Sequence, residues 1–228
     1  MSYNFDEIAV LAEARGGIYR FLSSLYLEPP SEEMLKKIRE ELEELGSLFP
    51  SSIEHFKVFF NEHNGDVKRV RQDFMDLFMV PTKKYVTPYE AVYMDKRIVN
   101  DQVVLGLLVG SSTGSVKRTY EKMEMELSSE CKELPDYIGL ELEFMSHLCR
   151  KEKKAEEEGN RDRVGFLLSV EREFIRDHLG KWVPMLCERV FEKAETGFFK
   201  GLAQLTKEFI ERDYNTVSDL CNIHNPRT

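Results

Sequence analysis

Glu143 and His147 stand four residues apart in ELEFMSHLC, residues 141–149, a spacing that puts a carboxylate and an imidazole on one helix face. Asp177 and His178 are adjacent, and Cys149 follows His147 by two. A di-metal carboxylate site in a helical bundle needs two Glu-x-x-His pairs projecting inward from facing helices. The sequence contains no such pair. His147 and Cys149, two apart on one helix, point in different directions and cannot act on one another. There is no P-loop or GxGxxG for a phosphate, and no GxSxG elbow for a nucleophilic serine. Cys131, Cys149, Cys187 and Cys221 form no CxxC pair, so neither a zinc knuckle nor a dithiol redox motif is supported. They read as small apolar packing residues of a reducing compartment. These absences favour a binding protein over an enzyme. No cofactor is expected, and a helical carboxylate metal enzyme is retained as the alternative from a different class.

The elements around these residues are helical nearly throughout. Ile8, Ala12, Tyr19, Leu22 and Tyr26 recur at helical spacing until Pro29-Pro30 stops them. Gly16-Gly17 in the middle of that helix suggests close approach of another helix or a ligand. Ser31 opens a second helix, Ser51 with Glu54 a third, and Asp66 a fourth. Pro135 starts the most hydrophobic helix, whose continuation, RKEKKAEEE, is polar all round and is expected to project into water. Val164, Leu167, Leu168, Phe174 and Ile175 predict the next helix, which Gly180 is expected to close as its C-cap. Val99, Val103, Val104 and Val109 favour a strand without an evident partner. The predicted fold is all-α, a single domain over residues 1–228, with 95–115 as a candidate hinge or loop and 213–228 as a candidate disordered tail. A hinge there would permit a helix-swapped homodimer.

One segment breaks the helical rhythm. PTKKYVTPYEAVY, residues 81–93, brackets two lysines and a tyrosine with Pro81 and Pro88. Thr87-Pro88-Tyr89-Glu90 reads as a helix start, with threonine at N-cap, proline at N1 and glutamate at N3.

The 228 residues carry a net charge of −9, with 42% hydrophobic and 32% charged residues. A duplex-binding domain ordinarily presents a basic face, so nucleic acid is an unexpected partner. The first residues hold no basic n-region of a signal peptide. The longest apolar run, VVLGLLVG (103–110), is far short of the ~20 residues of a membrane span. A cytoplasmic location without stable membrane insertion is the expectation.

Three segments together resemble a known family. DFMDLFMVPTKKYVTPYEAVY (73–93), ELPDYIGLELEFMSHLC (133–149) and FIRDHLGKWVPMLCERVFEKAETGFFKGLAQLTKEF (174–209) are similar, in order, to motifs of the TorD/DmsD/NarJ-like redox-enzyme maturation chaperones. The resemblance implies an all-helical, cofactor-free cytoplasmic chaperone. Its implied partner is the catalytic subunit of a molybdopterin-containing oxidoreductase and that subunit's twin-arginine signal peptide. The alternative within the family is a NarJ-type scaffold acting on mature subunits. Where most of the family has Pro-Asp-His, this chain has Pro135-Asp136-Tyr137, which removes an imidazole that titrates near neutrality. A leader has a basic and an apolar portion, so its receptor needs carboxylates beside an apolar groove. Tyr85, Pro88, Tyr89 and Tyr93 would line one wall, with Glu90 facing the arginines. Pro135, Asp136, Tyr137 and Glu141 would supply the other, near His178 and Trp182. The competing reading is that Thr87, Glu90 and Asp136 serve only as helix-end residues.

Overall fold

Proline and short polar side chains set most helix ends. The computed structural model describes residues 5–99, 102–106 and 108–224. Helix α1, Phe5–Leu27, stops before Pro29-Pro30. Ser31 accepts the Met34 N–H at 3.1 Å and opens α2, Glu32–Leu48. Helix α3, Pro50–His63, has Phe49 at its N-cap and no side-chain cap bond, so the Ser51/Glu54 box does not form. Pro50, with φ already set for a helix, starts the element two residues earlier. Asp66 accepts from Lys68 and Arg69 N–H at the start of α4, Val67–Phe74, which widens into a π-helical turn, Met75–Met79.

Helix α5, Glu90–Met94, starts two residues later than the Thr87-Pro88 signal predicts, with Tyr89 as N-cap. The valine-rich stretch finds its partner in itself. Strand β1, Lys96–Val99, pairs antiparallel with β2, Gln102–Leu105, with Lys96 opposite Leu105 and Val99 opposite Gln102. Asp95 joins the base of this hairpin to the next helix, α6, Ser111–Lys122. Its carboxylate accepts from both Ser111 and Ser112 hydroxyls at 2.8 Å and from the Ser112 N–H at 3.0 Å. The fold is therefore all-α apart from this one hairpin.

Helix α7, Ile138–Glu157, begins three residues after Pro135. Its polar second half is exposed on one side, at Arg150, Lys154 and Glu157, but is not polar and solvated all round. Glu152, Ala155 and Glu156 are buried, because α8, Arg161–Phe174, folds back along it. A π-helical turn, Ile175–Leu179, leads directly into α9, Gly180–Lys193. Gly180 is thus inside a continuous helical run, not a cap. A Cβ there would lie 2.8 Å from the Ile175 carbonyl oxygen, so the widened turn leaves no room for a side chain. Helix α10, Gly197–His224, follows Thr196, whose hydroxyl accepts the Phe199 N–H at 3.5 Å and whose own N–H and hydroxyl donate to Asp73 at 2.8 and 2.7 Å. The residues predicted as a tail from 213 continue this helix through His224. Asp213, Val217, Leu220 and Cys221 are buried, and that burial holds the helix. Residues 225–228 of the tail lie outside the described residues.

The chain divides into two compact units. The first comprises Met1–Ser24, Tyr89–Trp182 and Ile210–Thr228; the second comprises Leu25–Pro88 and Val183–Phe209. The second is organised by edge-to-face rings. Phe198 lies 5.3 Å from Phe56, 5.8 Å from Phe59 and 5.2 Å from Phe199, and Phe199 lies 5.8 Å from Phe78. In the first, α1 and α7 approach closely at Gly16. A Cβ there would meet the Cys149 Cβ at 3.0 Å, and the Ser146 hydroxyl donates to the Gly16 carbonyl at 2.9 Å. The close-approach reading of this glycine is the one observed, while Gly17 has nothing near its Cβ position.

Candidate functional site

The end of the proline-flanked segment, from Tyr89 on, meets the start of α7 in the first unit. Tyr89 and Tyr137 are both extended, at φ −127°, ψ 134° and φ −72°, ψ 133°, and form an antiparallel bridge. The Glu90 N–H donates to the Asp136 carbonyl at 3.0 Å. One Asp136 carboxylate oxygen accepts the Ala91 N–H at 2.9 Å, so the cap of α5 comes from a residue 45 positions away rather than from Thr87. The two tyrosine rings pack edge to face at 5.4 Å. The Tyr89 hydroxyl donates to the Glu133 carboxylate, and the Tyr120 hydroxyl donates to the Pro135 carbonyl at 3.0 Å.

Beneath the bridge lies a carboxyl-rich interior. Asp136 and Glu141 have no exposed surface, and Glu90 has 2%. Glu90 Oε2 is 2.8 Å from His178 Nδ1. Trp182 Nε1–H donates to Glu141 Oε2 at 3.1 Å, and the Tyr93 ring lies 5.5 Å from the indole. Burial, then the neighbouring Glu90, push the Glu141 carboxyl well above its ordinary range; the Trp182 hydrogen bond opposes them, and Asp136 adds to the rise. Asp136 also rises, chiefly through burial, against the opposing Ala91 N–H. The Tyr120 hydroxyl is raised by burial and by Glu141, Asp136 and Glu90. The raised carboxyl favours a proton on Glu141, which would relieve the crowding with Glu90 and Asp136. Glu141 Oε2 accepts from Trp182, and Oε1 is buried with no hydrogen-bond partner among the described residues.

This arrangement has a signed pH consequence. A carboxyl with a raised folded pKa holds more protons folded than unfolded. Its stabilisation is complete below the ordinary value of 4.5 and is lost as pH rises through the folded value. The wild type should lose stability as pH rises above about 4.5, with Glu141 contributing a slope of at most about 1.4 kcal/mol per pH unit. Glu141→Gln, which keeps an acceptor for the Trp182 N–H without a titrating proton, should flatten that slope and unfold at higher urea than the wild type at the alkaline end of the series. Urea midpoints across this range check it, and an unchanged slope would contradict the assignment.

The sequence-predicted site residues separate into distinct environments. Tyr85 and Pro88 belong to the second unit, where the Tyr85 carbonyl accepts from Lys193 Nζ at 2.8 Å. Tyr89, Tyr93 and Pro135 are half-buried; Tyr137, His178 and Trp182 are buried. Glu90, expected to face arginines, faces His178 instead, because its side chain points inward from the first turn of α5. Asp136 and Glu141 are likewise internal and hydrogen-bonded within the unit. The half-exposed carboxylate at this place is Glu133, held by Tyr89, to which sequence reasoning gave no role. Its signal is its position at the head of ELPDY, before a proline and outside any helix stripe. Arg15 is the other residue the periodicity passed over. It occupies the gap between Ala12 and Tyr19 on the buried stripe of α1 and is 3% exposed.

Residues 28–188 match the family described as the nitrate reductase delta subunit. The chain belongs to that family. Its relatives include chaperone protein TorD of Vibrio cholerae serotype O1, 25% identical over 225 residues, covering 94% of this chain and 97% of the relative. TorD of Vibrio parahaemolyticus is 25% identical over 91% of this chain and 96% of its own length, and TorD of Shewanella pealeana 24% over 91% of each. A crystal structure of a protein from Archaeoglobus fulgidus, described as a redox enzyme maturation protein, has a TM-score of 0.50 and 19% identity. It covers 86% of this chain and 93% of that one, and supports the all-helical fold. The resemblance carried by the three motifs and this family membership agree. The chain is of the TorD-like redox-enzyme maturation chaperone type, and its relatives are named as chaperones rather than enzymes. Among the described residues no helix is long and apolar enough to cross a membrane.

Proposed function

We propose that this delta-subunit family member is a cytoplasmic chaperone for a molybdopterin-containing oxidoreductase. It binds the client's twin-arginine signal peptide and apo catalytic subunit and assists cofactor insertion before export. The observation that supports the reading is the half-exposed Tyr89–Glu133 pair above the Tyr89–Tyr137 bridge. Carboxylates accept guanidinium bidentately, and Glu133 can take an arginine by exchanging the Tyr89 hydroxyl for it. The half-buried faces of Tyr89, Tyr93 and Pro135 offer the apolar portion of a leader a surface at low ordering cost, since their backbone is fixed by the bridge and the prolines. Asp136, Glu141 and Glu90 then act from within, by holding the bridge, the indole and His178.

Calorimetry with the client leader tests this. Glu133→Gln should weaken binding about ten- to a hundredfold, the loss of roughly 1.5–3 kcal/mol for a charged hydrogen bond. A Lys-Lys leader should lose a similar amount on the wild type and little more on the variant. Undetectable binding to the leaders of all neighbouring oxidoreductases would defeat the proposal. The family's own description, a nitrate reductase subunit, favours a second reading in which the mature enzyme is the target. Removing the leader from the client separates the two, since binding survives only in the second.

A further inference from the structure

Arg15 reaches three carboxylates on three other helices. Its Nε donates to Asp213 Oδ1 at 2.6 Å, its Nη1 to Glu152 Oε2 at 2.7 Å and its Nη2 to Glu171 Oε2. The Tyr19 hydroxyl donates to the other Asp213 oxygen at 2.7 Å. None of the four charged side chains is more than 4% exposed. One guanidinium offsets one carboxylate, so two formal negative charges remain in a dry interior, where uncompensated charge is costly.

The oxygens left over point to what offsets them. Each glutamate gives Oε2 to Arg15, and Oε1 of Glu152 and Oε1 of Glu171 are buried with no hydrogen-bond partner. Cys149, three residues before Glu152 on α7, places its Sγ beside them. A ligand atom from each of Cys149, Glu152 and Glu171 lies within 4.8 Å of the other two, and all three residues are buried. A helical i, i+3 pair plus one residue from the facing helix is a spacing that converges three donors on one point.

We propose that Cys149, Glu152 and Glu171 bind a divalent transition-metal ion. Arg15 holds the two carboxylates from behind and fixes which oxygen of each is offered, the part that second ligand spheres play in metal sites. A thiolate with two carboxylates suits zinc or cobalt and disfavours magnesium and calcium, which take oxygen alone. On binding, the Cys149 S–H bond breaks, sulfur keeps the electron pair and donates it to the metal, and the proton leaves to solvent. The ion ties α7 to α8 at the point where α1 packs most closely on α7. The competing occupant of the same space is a proton shared by the two glutamates.

Cobalt distinguishes the two. The full chain is unfolded, stripped with chelator, and refolded with or without one equivalent of Co2+. The expected result is one cobalt per chain, a near-ultraviolet thiolate-to-cobalt absorption, its displacement by Zn2+, and a rise in the melting temperature. Cys149→Ser should lose the absorption, while Cys131→Ser, which alters the half-exposed cysteine, should keep it. Glu171→Gln should bind at least tenfold more weakly. Wild-type protein that regains native circular dichroism yet shows no cobalt–thiolate band and no thermal shift would overturn the proposal in favour of the shared proton. So would a band that survives Cys149→Ser.

Discussion

Arg15→Ala is expected to destabilise the first unit by roughly 3–5 kcal/mol, the cost of removing one partner from a buried ion cluster. The size follows from what remains. Asp213, Glu152 and Glu171 are each essentially without exposed surface, and each spends an oxygen on this one guanidinium. Glu171 and Glu152 are already raised by burial while Arg15 pulls them down, so its removal leaves them with nothing but desolvation and mutual repulsion. Arg15→Lys should recover only part of the loss, because an ammonium cannot fork toward three carboxylates on different helices. Because the chain forms two units, urea unfolding is best followed by two probes, total helicity and Trp182 fluorescence in the first unit. The indole should report the earlier transition in the variant. An Arg15→Ala protein within about 0.5 kcal/mol of wild type would mean that the cluster holds nothing together.

Trp182→Ala should cost a comparable amount, about 3–5 kcal/mol for truncating a large core side chain. Two losses add. The indole is fully buried against Tyr93, and its N–H is the donor that Glu141 Oε2 accepts. Trp182→Phe separates them. It keeps most of the apolar volume and removes only the donor, so about 1–3 kcal/mol of the loss should persist. Combining Trp182→Phe with Glu141→Leu should restore part of it, since an apolar pair leaves no acceptor stranded. If Trp182→Phe proves neutral in thermal unfolding, the indole–carboxyl bond is not what holds this interior.

Much of the backbone was legible because its causes are local. The two prolines after Leu27, Ser31 and Asp66 act within a few residues of themselves, and each sets a helix end where the sequence predicts one. The family was legible for a related reason, since three motifs in fixed order survive in the linear text. The α5 start was misplaced by the same local logic. Thr87 carries the side chain of a good cap, yet Asp136 performs that task from the far side of the bridge, and no pattern near residue 90 reports it.

Charge inside the core was the least legible feature. RKEKKAEEE looks solvent-exposed because periodicity weighs a residue against its chain neighbours, and Glu152 has lysines on both sides. Its partner, Arg15, is 137 positions away. Arg15 likewise appears only as a polar gap in an apolar stripe.

By itself, then, the sequence determined the helical class, most helix ends and the chaperone family, all of which follow from short-range sterics, capping and motif order. Only the tertiary structure decided which carboxylates are interior, which helix each one caps or pairs, and that Glu133 rather than Asp136 or Glu141 meets solvent. The physical reason is that burying a charge is favourable only when a specific partner arrives with it, and here those partners arrive from distant helices.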